Sequence, residues 1–216
     1  GTVRRERTQN TIMKPALLLF LCGSLLSGCG AQPLALASEK PGEYAFIVTL
    51  TNLAYEQPLS PFFFSIHNNS SEPLFELGKP SSEALAMLAE NGSVGPLLRK
   101  YRNETTQGVD PSQVGFDLLR DENGRFKPLD RFLQQKFRVK TSDEFPLMSF
   151  AAMCENTNDC FVGAAGVKLF DGLILSMPGY DAGSEENNEN CDSIPGPVCS
   201  GRGPFRNERS GNGEGL

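Results

Sequence analysis

Histidine is almost missing from this chain: His67 is the single one in 216 residues. That scarcity removes histidine-rich metal sites from consideration and leaves imidazole acid–base chemistry one position to work from. No G-x-S-x-G or comparable nucleophile motif accompanies it. A lone histidine after the aromatic run Phe62-Phe63-Phe64 is therefore read as structural, with its ring satisfied by a nearby carbonyl. Positive charge is also short, with 20 Lys and Arg against 26 Asp and Glu and a net charge of −6. Phosphate recognition needs a basic stripe, so the balance argues against nucleic acid as a partner. The chain has no internal repeat. Its apolar run from Pro15 to Leu26 is too short for a bilayer core, which takes about 20 apolar residues.

What stands at that run is a leader. Met13-Lys14 opens a short basic region, the apolar run follows, and Leu26-Ser27-Gly28-Cys29 closes it with small residues at the cut. The Leu-Ser-Gly-Cys ending resembles the lipobox of bacterial lipoproteins. That resemblance implies a signal peptide over 1–28, lipidation at Cys29, and a membrane attachment through the lipid. Residues 1–12, with Arg4, Arg5 and Arg7, read as an extended basic leader or a misread start, and Gly1 as the first residue of a piece of a longer chain. Residues 29–43, with Pro33, Pro41 and Gly42, read as a tether. Removing residues 1–29 takes away four of the 20 basic residues and one of the 26 acidic ones, which leaves 16 and 25 and a net charge of −9.

Beyond Cys22 and Cys29 of the leader, four cysteines remain: Cys154, Cys160, Cys191 and Cys199. An even number in an exported chain points to disulfides. Four cysteines allow three pairings, and the expectation is Cys154–Cys160 with Cys191–Cys199, each closing one short loop. Neither spacing is that of a zinc knuckle.

Tyr44 to Thr51 alternates with the period of two of a half-buried strand, and Phe62 to Ile66 makes a second strand. A helix is predicted over Ser82 to Asn91, with Ser81 or Ser82 as cap, Leu85, Leu88 and Ala89 on one face, and Asn91-Gly92 as the stop. Between Arg99 and Glu144 the pattern fits helix or strands and is left open. Phe145 to Met153, Phe161 to Phe170 and Leu173 to Met177 are apolar runs of strand length, and the chain from Ser193 reads as loop or disorder. The sum is a mainly β fold, an antiparallel β-sandwich with one or two short helices.

The densest chemistry lies in Tyr180-Asp181-Ala182-Gly183-Ser184-Glu185-Glu186-Asn187-Asn188-Glu189, an acidic turn with little to bury. Gly183 allows a tight turn that folds Asp181 and Glu185 toward one point. Thr157-Asn158-Asp159-Cys160-Phe161 offers a third carboxylate, Asp159. Carboxylate oxygens are what hard cations such as Ca²⁺ select.

Several blocks together resemble the spondin domain. In the first half they are Phe46 to Leu53, Gln57-Pro58-Leu59-Ser60-Pro61 running to Ile66-His67-Asn68, Pro73 to Gly78, and Leu88 to Gly92. In the second half they are Met153, Asn158 to Gly163, Tyr180 to Glu185, and Ile194 to Pro197, in the family's order. The resemblance covers residues 44–98 and 148–199 and implies a β-sandwich domain over 44–199 that binds one Ca²⁺ through Asp159, Asp181 and Glu185. Glu185 departs from the family's Asp, and Ser184 from its Thr. Residues 99–147 do not match and read as a candidate insertion. Residues 200–216 read as a Gly-rich tail that stops before the last His-containing strand of bacterial relatives.

These readings lead to an exported, lipid-anchored, calcium-binding module for adhesion or recognition at the bacterial envelope, not an enzyme. Its expected partner is a protein or glycan at the cell surface. The competing class is a carbohydrate-active or other hydrolytic envelope enzyme that uses the acidic loops for acid–base work.

Overall fold

The computed structural model describes residues 2–5, 41–103, 106–187, 191, 193–195 and 199. Cys29, residues 6–40 around it and the tail 200–216 lie outside the described residues. In chain order the strands are Thr2–Arg5 (β1), Glu43–Thr51 (β2), Leu59–His67 (β3), Gly115–Asp117 (β4), Leu119–Arg120 (β5), Phe126–Lys127 (β6), Gln134–Ser142 (β7), Leu147–Cys154 (β8), Cys160–Lys168 (β9) and Gly179–Asp181 (β10). Two helices, Glu83–Asn91 (α1) and Gly95–Tyr101 (α2), lie between β3 and β4, with a 3-10 turn at Pro111–Gln113. Every strand pairing among the described residues is antiparallel. The sheets are β1-β2-β7, β10-β9-β8-β3-β4 and a small β5-β6 hairpin, so the protein is a mainly β, sandwich-like fold.

The two main sheets differ in how they are covered, and their sequences record it. In β7 the residues alternate between exposed and buried from Gln134 to Thr141, because only one face meets the core. Phe137 and Val139 turn inward beside Phe46, Val48 and Leu50 of β2. They meet Phe62 and Ile66 of β3 and Met148, Phe150 and Ala152 of β8. The five-stranded sheet is covered on its other face too, where Phe63, Ala151 and Phe161 pack against Leu85, Leu88, Leu97 and Tyr101 of the helices. Strands buried on both faces read as continuous apolar runs, which is why Phe62, Phe63 and Phe64 stand together. Phe62 and Phe64 sit 4.8 and 5.1 Å from Phe137, while Phe63 turns the other way to lie 5.3 Å from Tyr101. Each such ring removed from water stabilises the fold by roughly 1.5–3 kcal/mol.

Helix α1 has both of its ends tied. The hydroxyl of Ser82 accepts from Leu85 N at 3.3 Å, and Gly92, with φ of 70°, donates its N–H to Leu88 O at 2.8 Å. That left-handed stop is where a side chain would be strained. Helix α2 is the second of the one or two short helices expected, at a place the sequence does not mark. It is only seven residues long, has no side-chain cap, and carries a proline in its first turn, so its stability comes from burying Leu97 and Tyr101.

Two expectations about the middle and end of the chain change. Leu173 to Met177 forms no strand. Leu173 enters the core, Ile174 is 74 % exposed, and Leu175 and Met177 pack beside Val48, Leu50, Met148 and Phe150. A narrow three-stranded sheet leaves part of the wider one bare, and this irregular segment covers it. Residues 99–147 are part of the sandwich. They supply β4 at one edge and all of β7, which pairs with β2 from Glu43↔Ser142 to Thr51↔Gln134. Thr2–Arg5, within the stretch read as leader, is paired with β2 along its other edge.

Strand directions sort the loops into two groups. One end of the sandwich gathers loop 52–58, turn 130–133, the β8–β9 turn 155–159 and the turn after β10. The other gathers residues 41–42, the β7–β8 connection 143–146 and the segment after His67.

Candidate metal centre

The acidic turn and Asp159 meet because β10 pairs with the start of β9. Asp181 stands opposite Cys160 in the ladder, and Ala182 N donates to Asp159 O at 3.0 Å. The chain then wraps over the Asp159 side chain. Its Oδ2 accepts from Ser184 N at 2.8 Å, from Ser184 Oγ at 3.2 Å and from Glu185 N at 3.0 Å. Gly183, with φ of 63°, makes the bend and donates its N–H to Asp181 Oδ1 at 2.6 Å. Asp181 Oδ2 accepts from Asn187 Nδ2 at 2.6 Å, and Asn158 Nδ2 donates to Glu186 O and to Asn187 Oδ1. Asp159 and Glu185 are each only 1 % exposed.

Burying a carboxylate penalises its charged form. The Asp159 carboxyl is pushed above its ordinary value, first by burial and further by the charge of Asp181, while the N–H groups of Ser184 and Glu185 pull the other way. The donor set suits a hard cation in kind: three carboxylates, two of them buried, from two adjoining turns. Its hydrogen bonds point elsewhere. Asp159 gives Oδ2, and Asp181 gives both oxygens, to groups of the turn itself. Among the described residues no group of three or more His, Cys, Asp or Glu side chains is arranged to hold a metal ion.

The supports of this turn are covalent and polar. Cys154 is joined to Cys160 across the β8–β9 turn, with Cα atoms 5.3 Å apart, and Cys191 to Cys199, with 5.1 Å. Two disulfides belong to an oxidising, extracellular-type environment. Thr157 Oγ1 donates to Cys154 O at 2.7 Å and accepts from Cys160 N at 3.2 Å. Gln57 Nε2 donates to Glu155 O, which ties the turn to loop 52–58. All three described non-glycine residues with positive φ, Glu56, Phe132 and Asn156, lie in loops of this end. Phe161, Tyr180 and Phe75 form an aromatic group beneath it, with centroids 5.1–5.6 Å apart.

His67 lies at the opposite end, away from these acids. Its Nδ1 donates to Asn68 O at 3.0 Å, and its Nε2 accepts from Ser149 Oγ at 2.7 Å. Ser149 Oγ in turn accepts from Gly166 N at 2.9 Å. A serine hydroxyl on an imidazole is the contact of a nucleophile and its base, and here Ser149 is 1 % and His67 6 % exposed, so the pair is buried in the fold. Burial holds the imidazole below its usual pKa, against the pull of the Asn68 carbonyl. Ser149 was not foreseen from sequence, since a serine inside an apolar run carries no motif. Asn187, which ties Asp181 down, lies in an asparagine-rich stretch where nothing singles it out.

No family model and no curated protein matches this chain.

Proposed function

We propose that this chain is an exported, lipid-anchored, spondin-like module that binds one Ca²⁺ at Asp159, Asp181 and Glu185 and serves adhesion or recognition at a bacterial cell envelope. The observation that carries the reading is the burial of Asp159 and Glu185 where two turns meet, at 1 % exposure each, with Asp181 close enough to raise the Asp159 carboxyl further. Acids gathered out of water are costly unless a positive charge accompanies them. The ion would supply that charge, and extracellular modules of this kind hold Ca²⁺ at about 10⁻⁴–10⁻³ M. The lipid anchor rests on the Leu26-Ser27-Gly28-Cys29 ending, and the two disulfides suit the compartment it leads to.

The test is calorimetric titration with Ca²⁺, run beside a variant carrying Asp159→Asn, Asp181→Asn and Glu185→Gln. One ion should bind the parent and none the variant. At about 100-fold excess over its dissociation constant the ion should add about 2.7 kcal/mol to the parent's unfolding free energy. A parent that neither takes up the ion nor gains stability leaves these turns as hydrogen-bonded loops and ends the calcium reading.

A further inference from the structure

A break in the β3–β8 ladder opens a cavity that none of the three proposed calcium ligands lines. Leu59 pairs with Cys154 and Phe62 with Ala152, so Ser60 and Pro61 stand together opposite Met153. Pro61 has no N–H to give a ladder, and the Ser60 hydroxyl accepts from Met153 N at 3.0 Å in place of a backbone carbonyl. Such a bulge bends its strand and interrupts the pairing. The end of α1 comes down beside it: Gly92 lies so near that a side chain there would meet Ser60 Cβ at 3.3 Å. Glu155 of the β8–β9 turn, Phe126 of β6 and Pro195 help to enclose a space of about 200 Å³, the room of roughly six waters at about 30 Å³ each.

The lining is apolar except at one place that carries charge. Pro61, Phe126, Met153 and Pro195 line it, with the Phe126 ring 45 % exposed. Glu155 is the one ionisable residue of the lining, and no lining residue is basic. Its backbone is fixed from both sides, by its own N–H to Pro58 O at 2.8 Å and by Gln57 Nε2 on its carbonyl. Its carboxylate has no hydrogen bond and no ion pair among the described residues. Burial and then the charge of Asp130 hold it above the ordinary range. Glu56, in the neighbouring loop, stands exposed, whereas Glu155 is half-buried. An acid drawn partly out of water beside a second acid, with no donor to meet it, is a cost that the fold does not offset by itself.

We propose that this cavity binds an alkylammonium group, a primary amine on a short apolar stem, with its nitrogen on the Glu155 carboxylate and its stem against Phe126, Met153 and Pro61. The charge follows from an acid that lacks a counter-charge, and hydrogen bonds between ionised groups are the strong ones. The stem follows from the apolar walls, of which the Phe126 ring also attracts a cation. A quaternary ammonium is the poorer fit, since cages of several rings recognise such groups and a single ring stands here. A free amine and the lysine side chain of a partner protein offer the same chemistry, and the test separates them. The site needs none of the proposed calcium ligands.

The test follows the amide signals of Gly92 and Glu155 by NMR in the full chain, in chelator. The probes are n-butylammonium, n-butanol, ammonium chloride, N-acetylglucosamine and Nα-acetyl-lysine methylamide. Butylammonium should move both signals and saturate with a dissociation constant on the order of 1 mM, as suits so small a ligand. Butanol, which keeps the stem, and ammonium chloride, which keeps the charge, should bind about tenfold more weakly or not at all. Glu155→Gln should lose about tenfold in affinity, while Glu144→Gln, which removes one exposed charge at the opposite end, should bind as the parent does. Unchanged thermal unfolding of both variants establishes that they fold. A lysine derivative that binds as tightly as butylammonium supports the site and assigns it to a partner's lysine; weaker binding of that derivative supports it and assigns it to a free amine. Butanol as tight as butylammonium, or equal losses in the two variants, would overturn the proposal, and so would N-acetylglucosamine moving the same signals at lower concentration. A Glu155→Gln chain that fails to fold is replaced by Phe126→Ala, at an exposed position, for which a loss of about threefold is expected and no loss overturns the proposal.

Discussion

Two buried polar groups sit at opposite ends of the same pair of strands, β8 and β9, and they are solved in opposite ways. At one end His67 and Ser149 form a neutral chain: Gly166 N–H to Ser149, Ser149 O–H to the imidazole, and imidazole N–H to Asn68 O. At the other, Asp159 takes three hydrogen bonds on one oxygen from the turn that also carries Asp181 and Glu185. Neutral groups satisfied by neutral partners close a fold. Carboxylates gathered together keep a charge that backbone N–H groups only partly offset. Burial alone therefore does not separate a site from a structural pair; on the calcium reading proposed above, what separates them is the charge that burial penalises at Asp159.

The sharpest way to break this contrast is to replace Asp159. Asp159→Ala strands the N–H groups of Ser184 and Glu185 and should cost about 3 kcal/mol. Asp159→Asn keeps an acceptor for them and removes the buried charge, so in chelator it should cost less than about 1 kcal/mol. Urea unfolding in chelator measures both. If the Asn variant loses as much as the Ala variant, the carboxylate charge itself holds the turn, and the cation argument loses its footing.

At the other end the effects are smaller and unequal. Ser149→Ala removes a partner from His67 Nε2 and from Gly166 N and should cost about 1–2 kcal/mol. Ser65 stands directly opposite Ser149 in the ladder, fully buried, with no hydrogen-bond partner for its hydroxyl among the described residues. Ser65→Ala should therefore change stability by less than about 0.5 kcal/mol or raise it. Equal losses at the two serines would mean that Ser65 belongs to the chain of hydrogen bonds after all.

How legible these two ends were follows from how local their signals are. The acids of the turn stand within a few residues of one another, and Gly183 marks the bend, so Asp181 and Glu185 could be read as converging. Asp159 is brought to them by the β9–β10 ladder, and from residues alone it enters only as a second acidic turn. Alternation exposes β2 because one of its faces meets solvent or a loosely covered edge. The same alternation is present in Gln134 to Thr141, but the turn-rich stretch before it made the segment look undecided. Leu173 to Met177 fails for the reverse reason: apolar residues that plug a gap between sheets of unequal width need no ladder, and composition cannot tell a plug from a strand. The Ser149 contact to His67 joins residues 82 positions apart, and no local pattern announces it.

Acid titration offers the finest separation of the two ends, because their signs differ. The Asp159 carboxyl is raised in the folded protein, so the fold binds a proton that the unfolded chain, near pH 3.9 for an aspartate, has already lost. Its contribution is present below that value and is lost as the pH rises through the raised one. Glu155, raised by burial and then by Asp130, acts with the same sign. His67 is lowered in the folded protein, so its contribution is present above about pH 6.5 and is lost as the pH falls through the lowered value. In chelator, the difference in unfolding free energy between parent and Asp159→Asn should thus fall with rising pH across the acidic range, and Glu155 cancels from that difference. The difference between parent and His67→Gln should rise with pH up to neutrality. Excess Ca²⁺ sharpens the comparison, since an ion on Asp159 favours the ionised carboxyl and should reverse the slope at that end while leaving the histidine curve in place. Two curves of the same sign in chelator would mean that burial does not govern both groups, whereas a slope that Ca²⁺ fails to reverse would leave Asp159 a hinge of the turn and no ligand.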